Sequence, residues 1–195
     1  MENIASNAKD IESAIRQLLI AIGENPDRDG LKGTPDRIAR MYCEIFRGYE
    51  PDKKPKITTF PNKEQYTGMV FDSGDYYSMC EHHILPFFGK YYFAYIPSET
   101  GQIIGISKVS RVVAYCAARL QLQERLAKNI VDMLSEALKG ECKGMAIVMR
   151  GMHMCKSMRG VKNNGYMTTT YLTGVFLENK EIKSEFYELL NMQKI

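Results

Sequence analysis

Cys80-Glu81-His82-His83 and, far downstream, His153-Met154-Cys155 gather all three histidines of the chain and two of its five cysteines. Thiolate sulfur and imidazole nitrogen are the donors that Zn²⁺ prefers. A Cys-x-x-His spacing lets one turn present Cys80 and His83 to the same ion, and Cys155 supplies a third ligand. His153 and Cys155 lie two residues apart, so they point the same way if that segment is extended. Three protein ligands leave a fourth position open, which is the pattern of a catalytic site. If His82 were the fourth ligand the site would be structural, although adjacent histidines rarely reach one ion. Two thiolates neutralise the ion, so a water on it stays less acidic than the pKa of about 7 reached on an all-histidine site. Such a centre needs proton carriers nearby, and His82 and His153, with ordinary values of about 6.5, are the available ones.

Two further clusters suit an anionic or purine ligand. Gly105-Ile106-Ser107-Lys108, with Arg111, places a hydroxyl and two cations at an expected helix start, where free amides and the helix dipole favour phosphate. Alone this is an ordinary surface helix start; Arg159, four residues after Cys155, strengthens it. Arg37 joins only if the fold or a neighbouring subunit brings it there. In Gln121-Leu122-Gln123-Glu124-Arg125, the plain reading of Glu124 is a favourable charge in the first turn of a helix. Its carboxylate also accepts from two adjacent donors, the pattern offered by the ring N–H and amino group of guanine.

These residues need a scaffold. Ile11, Ile15, Leu18, Leu19 and Ile22 predict an amphipathic helix over 7–23 with Ser6 as cap. Thr34-Pro35 opens a second, carrying Ile38, Met41, Tyr42, Ile45 and Phe46 up to Gly48. Residues 66–79, 87–96 and 102–106 read as strands, with the Cys/His motif where the first of them ends. Helices follow over 105–119 and 121–138, then strands over 143–156 and 166–176, and a closing helix near 179–190. This order predicts an α+β fold with a mostly antiparallel sheet.

With 195 residues and no low-complexity linker, one domain over 1–195 is expected, with an N-terminal helical region over 1–50 and an α+β core over 65–195. A net charge of +3 with 25% charged residues argues against a broad nucleic-acid face. No apolar run spans a membrane. The odd cysteine count and polar N-terminus suggest a reducing, cytoplasmic setting, with Cys43, Cys116 and Cys142 as small hydrophobes.

Tyr77-Ser78-Met79-Cys80-Glu81-His82-His83, Pro86-Phe87-Phe88-Gly89-Lys90, Gly105-Ile106-Ser107-Lys108, Gln121 to Leu126, and His153-Met154-Cys155 through Met158-Arg159-Gly160-Val161 together resemble the GTP cyclohydrolase I family. The match runs from about Ile15 to Phe176. The resemblance implies the tunnelling fold: an antiparallel β-sheet with N-terminal helices and two long helices packed on it, assembling into a ring, usually a homodecamer with active sites between subunits. It implies conversion of GTP and water to formate and 7,8-dihydroneopterin triphosphate, the first step of pterin and tetrahydrofolate biosynthesis. Cys80, His83 and Cys155 would bind Zn²⁺, and His82 and His153 would carry protons while zinc-activated water opens the guanine imidazole at carbon 8. Ser107 would relay a proton in the later steps. Lys108, Arg111, Arg159 and Arg37, with Ser107, would hold triphosphate and ribose; Glu124 and Gln123 would hold guanine. Three departures stand out: the segment after Arg159-Gly160 is one residue short of the usual pattern, Tyr171 replaces a small hydroxyl residue, and Lys156 replaces an apolar one.

Rival readings are a non-catalytic zinc module with four protein ligands, and a subunit that binds guanine nucleotides only to regulate a partner. A nitrile reductase of the same fold needs no paired Cys/His set, so His153-x-Cys155 speaks against it.

Overall fold

The computed structural model describes residues 4–193. Its contacts divide the chain into two compact units, Met1–Lys54 and Pro55–Ile195.

In the first unit a 3₁₀ turn over Ile4–Asn7 leads into α1 (Ala8–Ala21), which packs against α2 (Thr34–Ile45). The caps differ from expectation. Asn7, not Ser6, occupies the N-cap of α1, with no side-chain bond to the helix; the Ser6 hydroxyl turns to Asn7 Oδ1 instead, at 3.4 Å. Thr34 is the first residue of α2, so Gly33 takes the cap position and Pro35 sits in the first turn, where its missing N–H removes no helical bond. Arg16 grips Asp27 with two bonds of 2.9 and 2.7 Å, tying α1 to the connection that follows it. No α1 residue is buried.

The second unit is α+β. Five strands form one sheet in the order β5-β2-β3-β6-β7: β2 (Val70–Cys80), β3 (Pro86–Pro97), β5 (Leu120–Gln121), β6 (Cys142–His153) and β7 (Met167–Leu172). A separate ribbon pairs β1 (Thr59–Pro61) with β4 (Gln102–Ile104). The long ladders are antiparallel, as expected from the sequence. The sheet is nevertheless mixed, because β5 lies parallel to the end of β2 through Met79↔Leu120 and Cys80↔Gln121. The helices are α3 (Ser107–Ala117), α4 (Gln123–Ala137), the single turns α5 (Met154–Ser157) and α6 (Val175–Glu178), and the closing α7 (Lys180–Met192).

Alternation along the strands sorts the side chains between two faces. Phe87, Tyr91, Phe93 and Tyr95 of β3 join Met145, Ile147 and Met149 of β6 under the apolar stripes of α3 and α4, including Val112, Leu126, Ile130 and Leu134. The intervening Tyr92, Ala94 and Ile96 meet Ala146, Val148, Phe176, Phe186 and Leu190 under α6 and α7. Both faces are therefore apolar, which accounts for the unbroken run Met145 to Met149. Among the described residues no helix is long and apolar enough to cross a membrane.

β3 is the strand that joins the two Cys/His motifs. Phe87 pairs with Ser78 on one side and with His153 on the other, so the ends of β2 and β6 come level although they are distant in sequence. The Ser78 hydroxyl donates to Ala117 O at 2.7 Å and fastens β2 to the end of α3.

Candidate active site

Cys80 closes β2, and the connection to β3 carries His83. Cys80 N–H donates to Leu85 O at 2.8 Å, and Ile84 N–H donates back to Cys80 O at 2.9 Å, which folds residues 81–85 into a tight hairpin loop. Ile84 has φ of +50°, a conformation that strains a β-branched residue. Within the loop, Glu81 accepts two bonds from Arg125 of α4, at 2.6 and 2.9 Å, and its N–H donates to Gln121 O at 3.2 Å. The loop is thus anchored to the start of α4.

β6 ends at His153, and Cys155 lies in the single turn α5. The expectation that His153 and Cys155 point the same way along an extended segment is therefore corrected. The chain turns at His153, whose backbone is still extended, and helical geometry swings Cys155 round to the Cys80 sulfur. The donor atoms of Cys80, His83 and Cys155 all lie within 4.8 Å of one another. Ligand bonds of about 2.0–2.3 Å in a tetrahedron separate donors by roughly 3.3–3.8 Å, so a small contraction suits the set to zinc. Among the described residues no fourth Cys, His, Asp or Glu joins this group. His82 is exposed and its ring stands at 86° to that of His83 with centroids 6.3 Å apart, so the two neighbours face different directions. Burial and the adjacent Cys80 sulfur push the Cys155 thiol above its ordinary value, while Arg159 draws it down. Arg159 Nη1 also lies 2.7 Å from His83 Nε2, which places that cation at the edge of the cluster.

His153 is half-buried. Its ring stacks on Phe87 with centroids 4.6 Å apart and planes 8° from parallel, and its Nε2 lies 3.0 Å from Gln123 Oε1. Burial lowers its pKa, Glu124 raises it, and Lys156 lowers it further. Glu124 is exposed in the first turn of α4, whereas its neighbour Gln123 is 1% exposed with its amide wholly engaged inside the protein. Ser107 and Arg111 sit one turn apart at the exposed start of α3, with Lys108 half-buried between them. Among the described residues, they form no hydrogen bond or ion pair with the Cys/His cluster. Arg37 belongs to α2 of the first unit, its guanidinium folded against Gly33.

The shortened segment after Arg159 does not disturb the ladder, since β6 and β7 pair without a break from Gly151↔Met167 to Ala146↔Leu172. Tyr171 packs on the core beneath α4. A cavity of about 530 Å³ opens on the opposite face of the sheet, lined by Tyr77, Phe88, Lys90, Arg150 and Tyr166 among others, with no candidate site residue in its wall.

Sequence reasoning did not single out Tyr76, Phe87, Gly151 or Thr169, which surround His153 and Gln123. The available signal was position: Phe87 falls between the two halves of the cluster in the strand that joins them, and Gly151 precedes His153 by two residues on the same face.

Comparison with known proteins gives the family. Residues 11–191 match the family model described as GTP cyclohydrolase I. The chain is 44% identical over 190 residues to a GTP cyclohydrolase 1 of Clostridium kluyveri, covering 94% of this chain and 97% of that one. It is 44% identical to those of Thermoanaerobacter pseudethanolicus over 185 residues and Streptococcus pyogenes over 186, with 94% of this chain and 97% and 94% of theirs covered. Among solved structures, an archaeosine synthase QueF-like in its apo form covers 54% of this chain and 93% of its own at TM-score 0.43 and 15% identity.

Proposed function

Because the chain belongs to the GTP cyclohydrolase I family, we propose that it hydrolyses and rearranges GTP to formate and 7,8-dihydroneopterin triphosphate at the Cys80, His83 and Cys155 centre, the entry to pterin and tetrahydrofolate synthesis. The observation that carries this reading is the convergence of three soft donors, from two segments far apart in sequence, without a fourth among the described residues. A closed four-ligand structural site is thereby disfavoured.

Cys80, His83 and Cys155 would hold Zn²⁺, which when bound would supply a water nucleophilic enough for hydrolysis at purine carbon 8. His153 delivers a proton to the leaving ring nitrogen and recovers one as formate departs; Phe87 keeps its ring plane fixed for both transfers. His82, exposed beside the centre, serves as the second proton carrier. Glu124 offers its carboxylate to the ring N–H and amino group of guanine, which adenine cannot match. Arg159, Lys108 and Arg111 neutralise the triphosphate, and Ser107 assists ribose opening at the start of α3. Arg37 would join the phosphate set if a neighbouring subunit brought it there, in keeping with an enzyme whose sites are shared between subunits of a tunnelling-fold ring, a homodecamer in the cytoplasm.

The test is direct. Purified protein with one zinc per chain should release formate from GTP and give a product that becomes a fluorescent pterin on oxidation. Intact GTP after incubation with the zinc-loaded protein overturns the reading.

A further inference from the structure

We infer that Gln123 is the positioning residue that decides which nitrogen of His153 moves protons: it holds the ring as the Nε2–H tautomer and leaves Nδ1 as the exchanging atom. The inference rests on the role proposed above for His153. It gives Gln123 a task other than holding guanine.

The partners of the Gln123 amide allow it one orientation. Its Nε2 lies 3.0 Å from Met149 O, 3.3 Å from Met167 O and 3.1 Å from Thr169 Oγ1. Carbonyl oxygens only accept, so the nitrogen must face them and the oxygen must face the other way. That oxygen meets Tyr76 Oη at 2.9 Å and His153 Nε2 at 3.0 Å. An amide oxygen cannot donate, so both neighbours must. Tyr76 is able to, since burial pushes its pKa far above the ordinary phenol value and keeps the hydroxyl protonated. His153 must therefore carry its hydrogen on Nε2, and a neutral ring then has its lone pair on Nδ1.

An independent feature shows that this corner is built for the purpose. A Cβ on Gly151 would stand 2.1 Å from Tyr76 Oη and 2.7 Å from Gln123 Oε1, so only glycine lets the two oxygens approach the strand. Phe87 covers one face of the imidazole and meets Tyr76 edge to face at 6.1 Å, so the ring can neither tilt nor flip without opening the packing. The interior of α4, β2, β6 and β7 thus converges on a single nitrogen. The same arrangement, in which an outer group fixes the tautomer of a working histidine, typically changes rate by about 10–100-fold when removed.

The experiment uses full-length, zinc-loaded protein labelled with ¹⁵N-histidine, with His153 assigned by loss of its signals in His153→Gln. Two-bond ¹H–¹⁵N correlation at alkaline pH should show His153 as the neutral Nε2–H tautomer. A neutral Nδ1–H pattern in the unmutated protein overturns the inference without any variant. Gln123→Met should release the tautomer and lower kcat by about 10–100-fold with KM for GTP within about threefold and zinc content retained. Tyr76→Phe, which removes the other donor but keeps the shape, should leave the Nε2–H tautomer in place. Unchanged tautomer and kcat in a folded Gln123→Met variant also overturn the inference. Failure of the function reading looks different: the unmutated zinc-loaded protein would leave GTP intact, whatever tautomer its His153 shows.

Discussion

Phe87 and His153 face one another across the β3–β6 ladder with their rings 8° from parallel and 4.6 Å apart, and Phe87 is fully buried. The proposed proton carrier is thereby stacked on the apolar core of the domain, which fixes the plane of its ring. Burial also favours its neutral form, so the ring gives up a proton readily once it has taken one.

The metal centre predicts a split between ligands and proton carriers. Cys80→Ser, His83→Ala and Cys155→Ser should each lose zinc and reduce turnover by more than about a hundredfold. His153→Ala should lose turnover to a similar degree with zinc retained, as read by metal analysis of the purified variants. Zinc loss in His153→Ala would make that residue a ligand and refute the assignment.

Glu124 is exposed in the first turn of α4, so Glu124→Gln should leave the melting temperature within about a degree or two. Loss of a charged acceptor facing two donors is worth about 1.5–3 kcal/mol, so kcat/KM for GTP should fall about 10–100-fold. Steady-state kinetics decide it. A variant with full kcat/KM would leave the carboxylate with only its charge near the helix start.

Gly151→Ala should destabilise the protein by about 1–3 kcal/mol, because the new methyl group meets Tyr76 Oη and Gln123 Oε1 well inside contact distance. Denaturant unfolding measures the change. A loss below a few tenths of a kcal/mol would mean that the corner around His153 yields easily.

Asp72 supplies a pH test away from the centre. Burial raises its carboxyl above the ordinary value of 3.8, against the lowering effect of the Tyr91 hydroxyl, which donates to Oδ2 at 3.0 Å, and of the Ser73 amide. A carboxyl raised in the folded state binds its proton more tightly there than in the unfolded chain. Its contribution is therefore fully present below 3.8 and declines as pH rises through the raised folded value. Asp72→Asn should raise the melting temperature at pH 7 by about 2–4 °C and give no gain near pH 3. An equal shift at both pH values would assign the effect to packing.

Ile84, half exposed at φ +50°, should tolerate glycine. Ile84→Gly removes the strain and should hold stability level or raise it by up to about 1 kcal/mol, while weakening zinc binding several-fold because the loop gains freedom. Competitive chelation together with thermal unfolding separates the two effects. Tighter zinc binding would show that the strained loop does not help to place His83.

The long elements were legible because periodicity reports burial: the stripes of α3 and α4 and the apolar run of β6 stand in the structure within a few residues of their expected ends. The metal set was legible because Cys and His are scarce here and fall together. What stayed hidden depends on short or buried geometry. The two residues of β5 are too few to show a pattern, so the parallel contact was not anticipated. The single turn α5 is likewise too short to be told from continued strand, and it redirects Cys155. Gln123 reads as a polar residue beside Glu124, and only the tertiary packing shows its amide spent on Met149, Thr169, Tyr76 and His153.

The small strand β5 has a mechanical consequence. By pairing Leu120 and Gln121 with Met79 and Cys80, it welds the last residues before the Cys/His loop to the first residues before α4. The Cys/His loop and the start of α4 are therefore coupled through main-chain bonds, and a shift at either strand end is carried to the other.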